Sequence, residues 1–240
     1  MSALNSSKDE HPLRHSISGL LQSGLYSDAT IVCDDQTFHV HKAVICTQSA
    51  YFARAFDKDN GFKEACTNVI ELQDVSSAVV RSMLEFMYHC DYTKCEDPNE
   101  DLIANIYIYN AAEMFQLKEL KEAAAQRFKA GADTMSGLPM LRAAIESIYE
   151  GTVEQDRCLR DVVVEIAVRK MDKLVKDSDF NGILERVPTF SKDLVHGLHS
   201  KLKEKSGTAS KRTIRCPGPF CRRERAFDAE TYQNDSFWDY

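Results

Sequence analysis

The sequence predicts an α+β fold in which a few short strands lie among helices and an all-helical extension follows. Segments with the composition of strands are short and fall early in the chain, at Ser27–Cys33, Thr37–Val40 and Asn68–Leu72. From Ser77 onward, apolar residues recur instead at helical spacing in one segment after another. Strands this short form a small sheet, which needs helices to cover it.

The first elements are a helix and a hairpin. Residues 1–12 are polar and are expected to be disordered. The apolar spacing predicts a helix over Leu13–Leu25, with Gly24 as its stop, and Asp34-Asp35 provides a turn between the first two strands. One or two short helices are predicted over His41–Phe56. Ser77–Cys90 predicts a helix whose inward face consists of Val80, Met83, Leu84, Met87 and Tyr88.

The rest of the chain is predicted to be helical. One inward helix face is predicted from Ile103, Ile106, Tyr107, Asn110, Ala111 and Met114. Residues 131–137 are interpreted as a linker between a domain at 13–130 and an extension at 138–204. The extension is predicted to contain helices at Leu138–Tyr149, Arg157–Lys176, Asp179–Val187 and Ser191–Lys203, the last with Ser191 as its N-cap. Residues 205–240 lose this periodicity and are expected to form a flexible tail, first basic and then acidic and aromatic.

Charge is unevenly distributed along the 240 residues. The chain has a net charge of −7, but residues 201–240 carry nine Lys and Arg against six Asp and Glu, a net charge of +3, which leaves −10 for residues 1–200. Because affinity for phosphate depends on clustered cations, an acidic body disfavours nucleic acid as the main partner. The basic run at 201–225 is interpreted as a solvated tail; the alternatives are a nuclear import signal and a nucleic-acid patch.

Composition also bears on the compartment. The longest stretches without a charged residue hold 13 and 11 residues, against the roughly 20 apolar residues of a membrane-spanning helix, so no membrane association is expected. The first residues contain no apolar run typical of a secretory signal. Eight Cys spread along such a chain are expected to be free thiols in a reducing compartment, the cytoplasm or the nucleus.

Several short motifs follow one another between Ser27 and Tyr92. They are Ser27-Asp28, Phe38-x-x-His41-Lys42-x-x-Ile45, Ser49-x-x-Phe52, Gly61-Phe62-x-Glu64, Ile70-x-Leu72-x-Asp74 and Met83-Leu84-x-Phe86-Met87-Tyr88-x-x-x-Tyr92. In this order and spacing they resemble a BTB/POZ domain, and the resemblance covers about residues 13–130. It implies the BTB fold, a small mixed sheet flanked by helices. The helices at 138–204 resemble, more loosely, the BACK-like extension that follows many BTB domains.

The resemblance implies a protein–protein interaction module, with no catalytic residues, no cofactor and no small-molecule substrate. BTB domains are commonly homodimers, and many are substrate adaptors of cullin-3 ubiquitin ligases, cytoplasmic or nuclear. The rival hypothesis is a nuclear scaffold or transcription-linked dimer that does not bind a cullin.

Three sets of residues follow from the resemblance, each with an alternative. Asp28, His41 and Lys42 lie where strand passes to helix; they form either a structural polar cluster or a site for an anion, and no nucleophile or second base accompanies His41. Phe62 and Glu64 match the hydrophobic-x-Glu pattern that contacts the cullin in adaptors; the alternative is packing of Phe62 on its own domain. Ile17, Leu20 and Leu21 pack either across a two-fold dimer interface or within the subunit.

Weak metal candidates lie near the C-terminus. His196 and His199 on one helix face, with Cys216 and Cys221, would supply the four ligands of a structural zinc ion. The spacing of the histidines is tighter than usual and the intervening loop is long, so free thiols are preferred and no metal is predicted. The aromatic residues Phe227, Tyr232, Phe237 and Trp238 lie among acids and could dock on a partner as a short linear motif.

Overall fold

The structure, a computed structural model, describes residues 12–133, 135, 137–207, 212–215 and 224–227. Over these ranges the chain forms twelve α-helices, one 3-10 turn and five strands. Three strands fall among the helices before residue 73, and helices alone follow from there to Gly207. This order confirms the predicted α+β fold followed by a helical segment.

A mixed three-stranded sheet lies in the N-terminal half. Its strands are β1 (Ala29–Cys33), β2 (Gln36–Val40) and β3 (Val69–Leu72), in the spatial order β2-β1-β3. β1 is antiparallel to β2 and parallel to β3, so Ile31 lies between Phe38 and Ile70. All three side chains are buried. The parallel pairing requires the chain to cross over between β2 and β3, and short helices make that crossover.

Seven helices accompany this sheet. They are α1 (Pro12–Ser23), α2 (Lys42–Gln48), α3 (Ala50–Ala55), α4 (Lys63–Thr67), α5 (Ser77–His89), α6 (Pro98–Met114) and α7 (Lys118–Ala132). The five predicted inward residues of α5 are all buried. The 3-10 turn at Lys58–Asn60 and the five-residue α4 were not predicted, because neither is long enough to show a periodic pattern.

The predicted inward face of α6 is wrong in part. Tyr107 and Met114 are 49% and 50% exposed, whereas Asn105, Ile108 and Tyr109 are buried. The helix packs against α5, α7 and α8, so residues on several of its sides are covered. A stripe at helical spacing identifies the inward face only where a single face is covered.

Five helices follow, α8 (Leu138–Gly151), α9 (Arg157–Arg169), α10 (Met171–Leu174), α11 (Ser178–Arg186) and α12 (Pro188–Gly207). The single helix predicted over Arg157–Lys176 is interrupted at Lys170. Ser191 is not an N-cap, because α12 begins at Pro188, whose fixed φ suits a first helical position. The Ser191 hydroxyl donates instead to the Leu184 carbonyl at 2.8 Å.

Two short strands follow α12, where a tail without regular structure was expected. β4 (Arg212–Arg215) pairs antiparallel with β5 (Glu224–Phe227), with Arg215 opposite Glu224. The rest of the predicted tail, and residues 1–11 at the other end, lie outside the described residues. Four-residue strands in a basic segment give too little alternation to be recognised in a sequence.

The side chain of Asp156 joins the two parts of the fold. It lies before α9 and accepts a hydrogen bond from the Cys158 backbone N–H at 3.3 Å. It also accepts hydrogen bonds from the Tyr109 hydroxyl of α6 at 2.7 Å and from the Lys121 ammonium of α7 at 2.8 Å. Burial alone would raise the pKa of this carboxyl, but the Lys121 and Tyr109 donors outweigh burial and lower it. A partly buried carboxylate with these donors has its hydrogen-bonding capacity met within the fold.

Gly197 allows α12 to approach α9 closely. A Cβ at this position would come within 2.8 Å of Val164 Cγ1 and 3.1 Å of Val168 Cγ2. Valine side chains in a helix have one strongly preferred rotamer and cannot turn aside. We expect Gly197→Ala to lower the free energy of unfolding by about 1–3 kcal/mol, measured by urea denaturation. Gly19→Ala is the control, because nothing lies within 4 Å of its new Cβ. It should stabilise by up to about 1 kcal/mol through helix propensity; equal effects of the two substitutions would contradict the packing argument.

Candidate protein-interaction surfaces

His41 is buried at the corner between β2 and α2 and is hydrogen bonded on both ring nitrogens. Nε2 lies 2.7 Å from the Leu25 carbonyl, and Nδ1 lies 2.8 Å from the Tyr88 hydroxyl. The Leu25 oxygen can only accept, so we assign the ring hydrogen to Nε2, which leaves Nδ1 to accept from Tyr88. The Tyr88 oxygen in turn accepts from the His41 backbone N–H at 2.9 Å. With both nitrogens engaged, His41 fixes the corner of the chain.

Asp28 and Lys42 complete this polar cluster. The Asp28 carboxylate accepts a hydrogen bond from the Lys42 backbone N–H at 2.8 Å, at the first turn of α2. The Lys42 ammonium donates to the Asn68 side-chain oxygen at 2.5 Å and lies 4.7 Å from the centre of the Phe56 ring. Of the two alternatives drawn from the sequence, this geometry favours a structural cluster, because each of the three side chains already has a partner within the domain.

Tyr88 is a member of this cluster that the sequence analysis counted only as an apolar core residue. It is 2% exposed, yet its hydroxyl has two partners on His41. Tyrosine in place of phenylalanine at a buried stripe position is itself a signal, since a buried phenol needs a hydrogen-bond partner. Ser49 is a similar case, since its buried hydroxyl donates to the Phe115 carbonyl at 2.7 Å and accepts from the Phe52 N–H.

Phe62 lies on a loop whose shape is fixed by local hydrogen bonds. The Asp57 carboxylate accepts from the Asp59 backbone N–H at 3.0 Å, and the Asn60 side chain donates to the Arg54 carbonyl at 3.1 Å. Gly61 has φ +68°, a left-handed conformation that suits glycine. The loop thereby presents the Phe62 side chain, which is 51% exposed, immediately before α4. About half of Phe62 is therefore accessible to solvent, and the rest is covered within its own domain.

Glu64 lies in the first turn of α4, where a carboxylate complements the positive end of the helix. The helix is anchored by Ala65, which is buried. It ends at Asn68, which has φ +57° and donates from its backbone N–H to the Glu64 carbonyl at 2.8 Å. Burial raises the pKa of the nearby Tyr51, and the Glu64 charge raises it further. Phe62 and Glu64 thus lie at two consecutive turns of defined shape, the 3-10 turn and the first turn of α4. Residues 57–64 are called the Phe62 loop below.

The three residues predicted for the dimer interface lie on α1. Ile17, Leu20 and Leu21 are partly buried and pack on the core, because α1 lies against α5. Directly after the helix, Leu25 is 60% exposed and Tyr26 is 87% exposed, the latter at φ +63°. Packing within the subunit therefore covers only part of this apolar surface, and accessible apolar area is left for a partner.

An open groove of about 450 Å³ runs between α1, β2 and α5. Three of its polar side chains are engaged in hydrogen bonds within the fold. Arg81 donates to the Gln36 side chain at 2.7 Å, Glu85 accepts from the Thr93 N–H at 2.9 Å, and His89 lies 3.3 Å from the Ser18 carbonyl. These hydrogen bonds join neighbouring elements around the groove and stabilise its sides.

Two of the four candidate metal ligands lie among the residues that the structure describes. His196 and His199 lie on α12 and are both exposed, while Cys216 and Cys221 lie outside the described residues. In the part of the chain that the structure describes, no three His, Cys, Asp or Glu side chains are grouped as a metal site would require. Among the helices of those ranges, none has both the length and the apolar character to cross a bilayer.

Comparison with known proteins gives consistent matches. The family model of the BTB/POZ domain matches residues 17–131. The human Kelch repeat and BTB domain-containing protein 4 is 33% identical over 103 residues, which are 42% of this chain and 18% of that protein. A BTB/POZ domain-containing protein of Arabidopsis thaliana is 24% identical over 166 residues, 69% of this chain and 73% of that protein. The BTB domain of zebrafish PATZ1 is 21% identical and covers 54% of this chain and 99% of its own, with a TM-score of 0.40.

The small mixed sheet and the helices around it, together with the family match, identify a protein–protein interaction domain. Residues 17–131 are a BTB/POZ domain, and a helical region follows it. The family consists typically of interaction modules without catalytic activity. The chain spans less than a fifth of the length of the Kelch relatives it matches.

Replacing Tyr88 by Phe tests the buried cluster through its pH dependence. Burial raises the pKa of Tyr88 from 10.0 to about 12, despite the opposing hydrogen bond from the His41 backbone. The unfolded chain therefore loses this proton at lower pH than the folded chain, so stability falls as the pH rises from 10 towards 12, by up to about 1.4 kcal/mol per pH unit.

We expect Tyr88→Phe to lower the free energy of unfolding by about 1–3 kcal/mol at pH 8, because two groups of His41 lose their partner. Its stability should then fall less steeply than that of the parent chain between pH 10 and 11. Urea denaturation at several pH values measures both effects, and parallel pH profiles for the two proteins would contradict the assignment.

Proposed function

We propose that this chain is a homodimeric adaptor of a cullin-3 ubiquitin ligase, in which Phe62 and Glu64 contact the cullin. In this proposal the helices α8–α12 act as a BACK-like extension, and client proteins are recruited by that extension or by the chain termini. The protein works in the cytoplasm or the nucleus. The observation that carries the proposal is the 51% exposure of Phe62 on a loop held rigid by its own hydrogen bonds.

An exposed phenylalanine ring has an unfavourable hydration free energy, which an interface can relieve. Burying its ring in a partner pocket removes a large apolar area from solvent. The Phe62 loop is already ordered by Asp57, Asn60 and Gly61, so binding does not have to fix its backbone. Affinity then depends on contacts that are largely preorganised.

Glu64 supplies the second part of the proposed contact. It lies two residues after Phe62 in the first turn of α4 and is partly exposed. Its carboxylate can accept charge-assisted hydrogen bonds from a partner, which are stronger than those between neutral groups. An apolar anchor beside such an acceptor provides both affinity and orientation.

A pull-down with purified cullin-3, followed by titration calorimetry, tests this contact. We expect the intact chain to bind, Phe62→Ala to weaken binding by at least about 30-fold and Glu64→Ala by about tenfold, as for interface hot spots. Val175→Ala is the matched control, because it truncates an apolar residue that is 66% exposed on the helical extension. It should bind like the parent chain.

Absence of binding by the intact chain would contradict the adaptor proposal. It would favour the rival function, a nuclear scaffold or transcription-linked dimer. Equal binding by all three variants would leave an adaptor that uses another surface, and would refute the roles of Phe62 and Glu64.

The proposed dimer uses the outer surface of α1. Ile17, Leu20 and Leu21 are only partly covered within the subunit, and the exposed Leu25 and Tyr26 extend the same apolar end of the helix. A two-fold interface places each such surface against its own copy, which suits a self-complementary apolar patch. BTB domains typically dimerise, which supports the same arrangement.

Light scattering at tens of micromolar should give about twice the 27.2 kDa chain mass. Leu20→Asp should shift the mass to that of one chain, because it places a charge in the interface. Gln22→Asp is the control, since it adds the same charge at an exposed position of α1. Circular dichroism must show that both variants stay folded; a single-chain mass for the parent protein would refute the dimer.

A further inference from the structure

The Phe62 loop contains one of the two Asn-Gly dipeptides of the chain, Asn60-Gly61; the other is Asn181-Gly182. In such a dipeptide the backbone nitrogen of the glycine can attack the side-chain carbonyl carbon of the asparagine and close a succinimide ring. Glycine favours the attack, because it has no Cβ to hinder the approach and can adopt the backbone conformation that the ring needs. The two dipeptides share this chemistry, so the fold decides which of them reacts.

The reaction replaces an amide by a carboxylate. As the bond between the Gly61 nitrogen and Asn60 Cγ forms, the side-chain nitrogen of Asn60 leaves as ammonia and takes up the proton that the Gly61 nitrogen loses. Water then adds to one of the two ring carbonyls that flank the nitrogen. Opening on one side gives aspartate. Opening on the other gives isoaspartate, in which the main chain runs through the former side chain.

Asn60 lies on a turn that can open locally. It is exposed, it is the last residue of the 3-10 turn Lys58–Asn60, and Gly61 follows it with φ +68°. The Gly61 N–H donates to the Lys58 carbonyl at 3.3 Å, and the Asn60 amide donates to the Arg54 carbonyl at 3.1 Å. These are long hydrogen bonds in a turn type of poor hydrogen-bond geometry. Deamidation is much slower than local opening, so a small open population is sufficient.

Asn181 is exposed as well, but it lies inside α11 (Ser178–Arg186). Its neighbours Phe180 and Ile183 are both buried. In an α-helix each N–H is bonded to the carbonyl four residues earlier, so the Gly182 nitrogen cannot attack until the helix unwinds. Unwinding would expose the two apolar side chains to water. The fold therefore protects Asn181 and leaves Asn60 reactive.

A carboxylate at position 60 removes contacts that shape the Phe62 loop. The Asn60 amide donates to the Arg54 carbonyl and lies 3.3 Å from a carboxylate oxygen of Asp57. A carboxylate cannot donate, so it would face an acceptor and a second negative charge. Isoaspartate in addition lengthens the main chain before Gly61, which displaces the Gly61 N–H from the Lys58 carbonyl. Either product weakens the hydrogen bonding that positions Phe62.

We propose that Asn60 is a deamidation site, and that its conversion to aspartate and isoaspartate loosens the Phe62 loop. The change is spontaneous and breaks a covalent bond, so it limits the time for which the loop keeps its binding conformation. The chemical step and the loosening do not depend on cullin binding. Only their consequence for cullin binding rests on the proposed function.

Mass spectrometry of the intact chain, aged at mildly alkaline pH and then digested with trypsin, tests the chemical step. The tryptic peptides 59–63 and 177–186 each contain one of the dipeptides. We expect Asn60 to convert at least about tenfold faster than Asn181, because a short turn opens more readily than the interior of a packed helix. In concentrated urea the two should convert at similar rates. Equal rates in the folded chain would overturn the proposal, and so would a difference that persists in urea, since neighbouring side chains would then set the rates.

Hydrogen exchange tests the loosening of the loop. We expect the backbone amides of residues 57–64 to exchange at least about tenfold faster in the aged chain and in Asn60→Asp than in the fresh parent chain, because local opening is easier. The matched control is Asn181→Asp, which makes the same change of charge at the other exposed dipeptide and should leave the loop unchanged. Unchanged exchange in both the aged chain and Asn60→Asp would refute the loosening.

Cullin binding separates this proposal from the proposed function. Where the fresh chain binds, the aged chain and Asn60→Asp should bind at least about tenfold more weakly, and Asn181→Asp should bind like the parent chain. Equal binding by the fresh and aged chains would overturn the consequence for the partner. Failure of the fresh chain to bind would contradict the proposed function, while the mass spectra and the exchange rates still decide the deamidation proposal.

Discussion

The hydrogen bonds at the corner between β2 and α2 are the constraint on which the N-terminal domain depends. His41 connects this corner to the Leu25 carbonyl and to Tyr88 of α5, and Asp28 connects the start of β1 to the first turn of α2. His41 is buried, and a buried polar group is costly unless it is paired; its two ring nitrogens find partners on different parts of the fold. These hydrogen bonds therefore restrict how the sheet, α2 and α5 pack on one another, in addition to the apolar contacts between them.

The same hydrogen bonds extend to the Phe62 loop. The Lys42 ammonium holds the Asn68 side chain at 2.5 Å, and the Asn68 backbone donates to the Glu64 carbonyl at 2.8 Å. An isolated helix of five residues is not stable in water, so α4 depends on these external partners and on the buried Ala65. The polar cluster around His41 and the proposed docking residues Phe62 and Glu64 are thus connected by hydrogen bonds through Asn68. The hydrogen bonds of the corner thus add to the loop's own hydrogen bonds in positioning Phe62.

The sequence predicted those features that a single covered face or a local motif determines. The strands, the hairpin and the inward face of α5 are examples, because one side of each element meets the core. The inward face of α6 was wrong because neighbours cover several of its sides, and Ser191 was wrong because Pro188 starts the helix earlier. For the candidate site, the sequence could place Phe62 and Glu64 together but not show that Phe62 is exposed. The partners of His41 are 16 and 47 residues away, and such distances are set by tertiary packing.

The same type of pairing occurs twice, once between the domain and the helical extension and once within the extension. Tyr109 donates to Asp156 beside Lys121, and Tyr149 donates to Asp193 beside Arg157. In each case burial opposes ionisation of the carboxyl, yet the tyrosine and the cation outweigh it and lower the pKa of the aspartate. The first pair joins α6 and α7 to the start of α9, and the second joins α8 and α9 to α12. The apolar core is continuous across both, so the domain and the extension share one core. The proposed adaptor role requires such packing, because an adaptor presents one partner to another in a defined geometry.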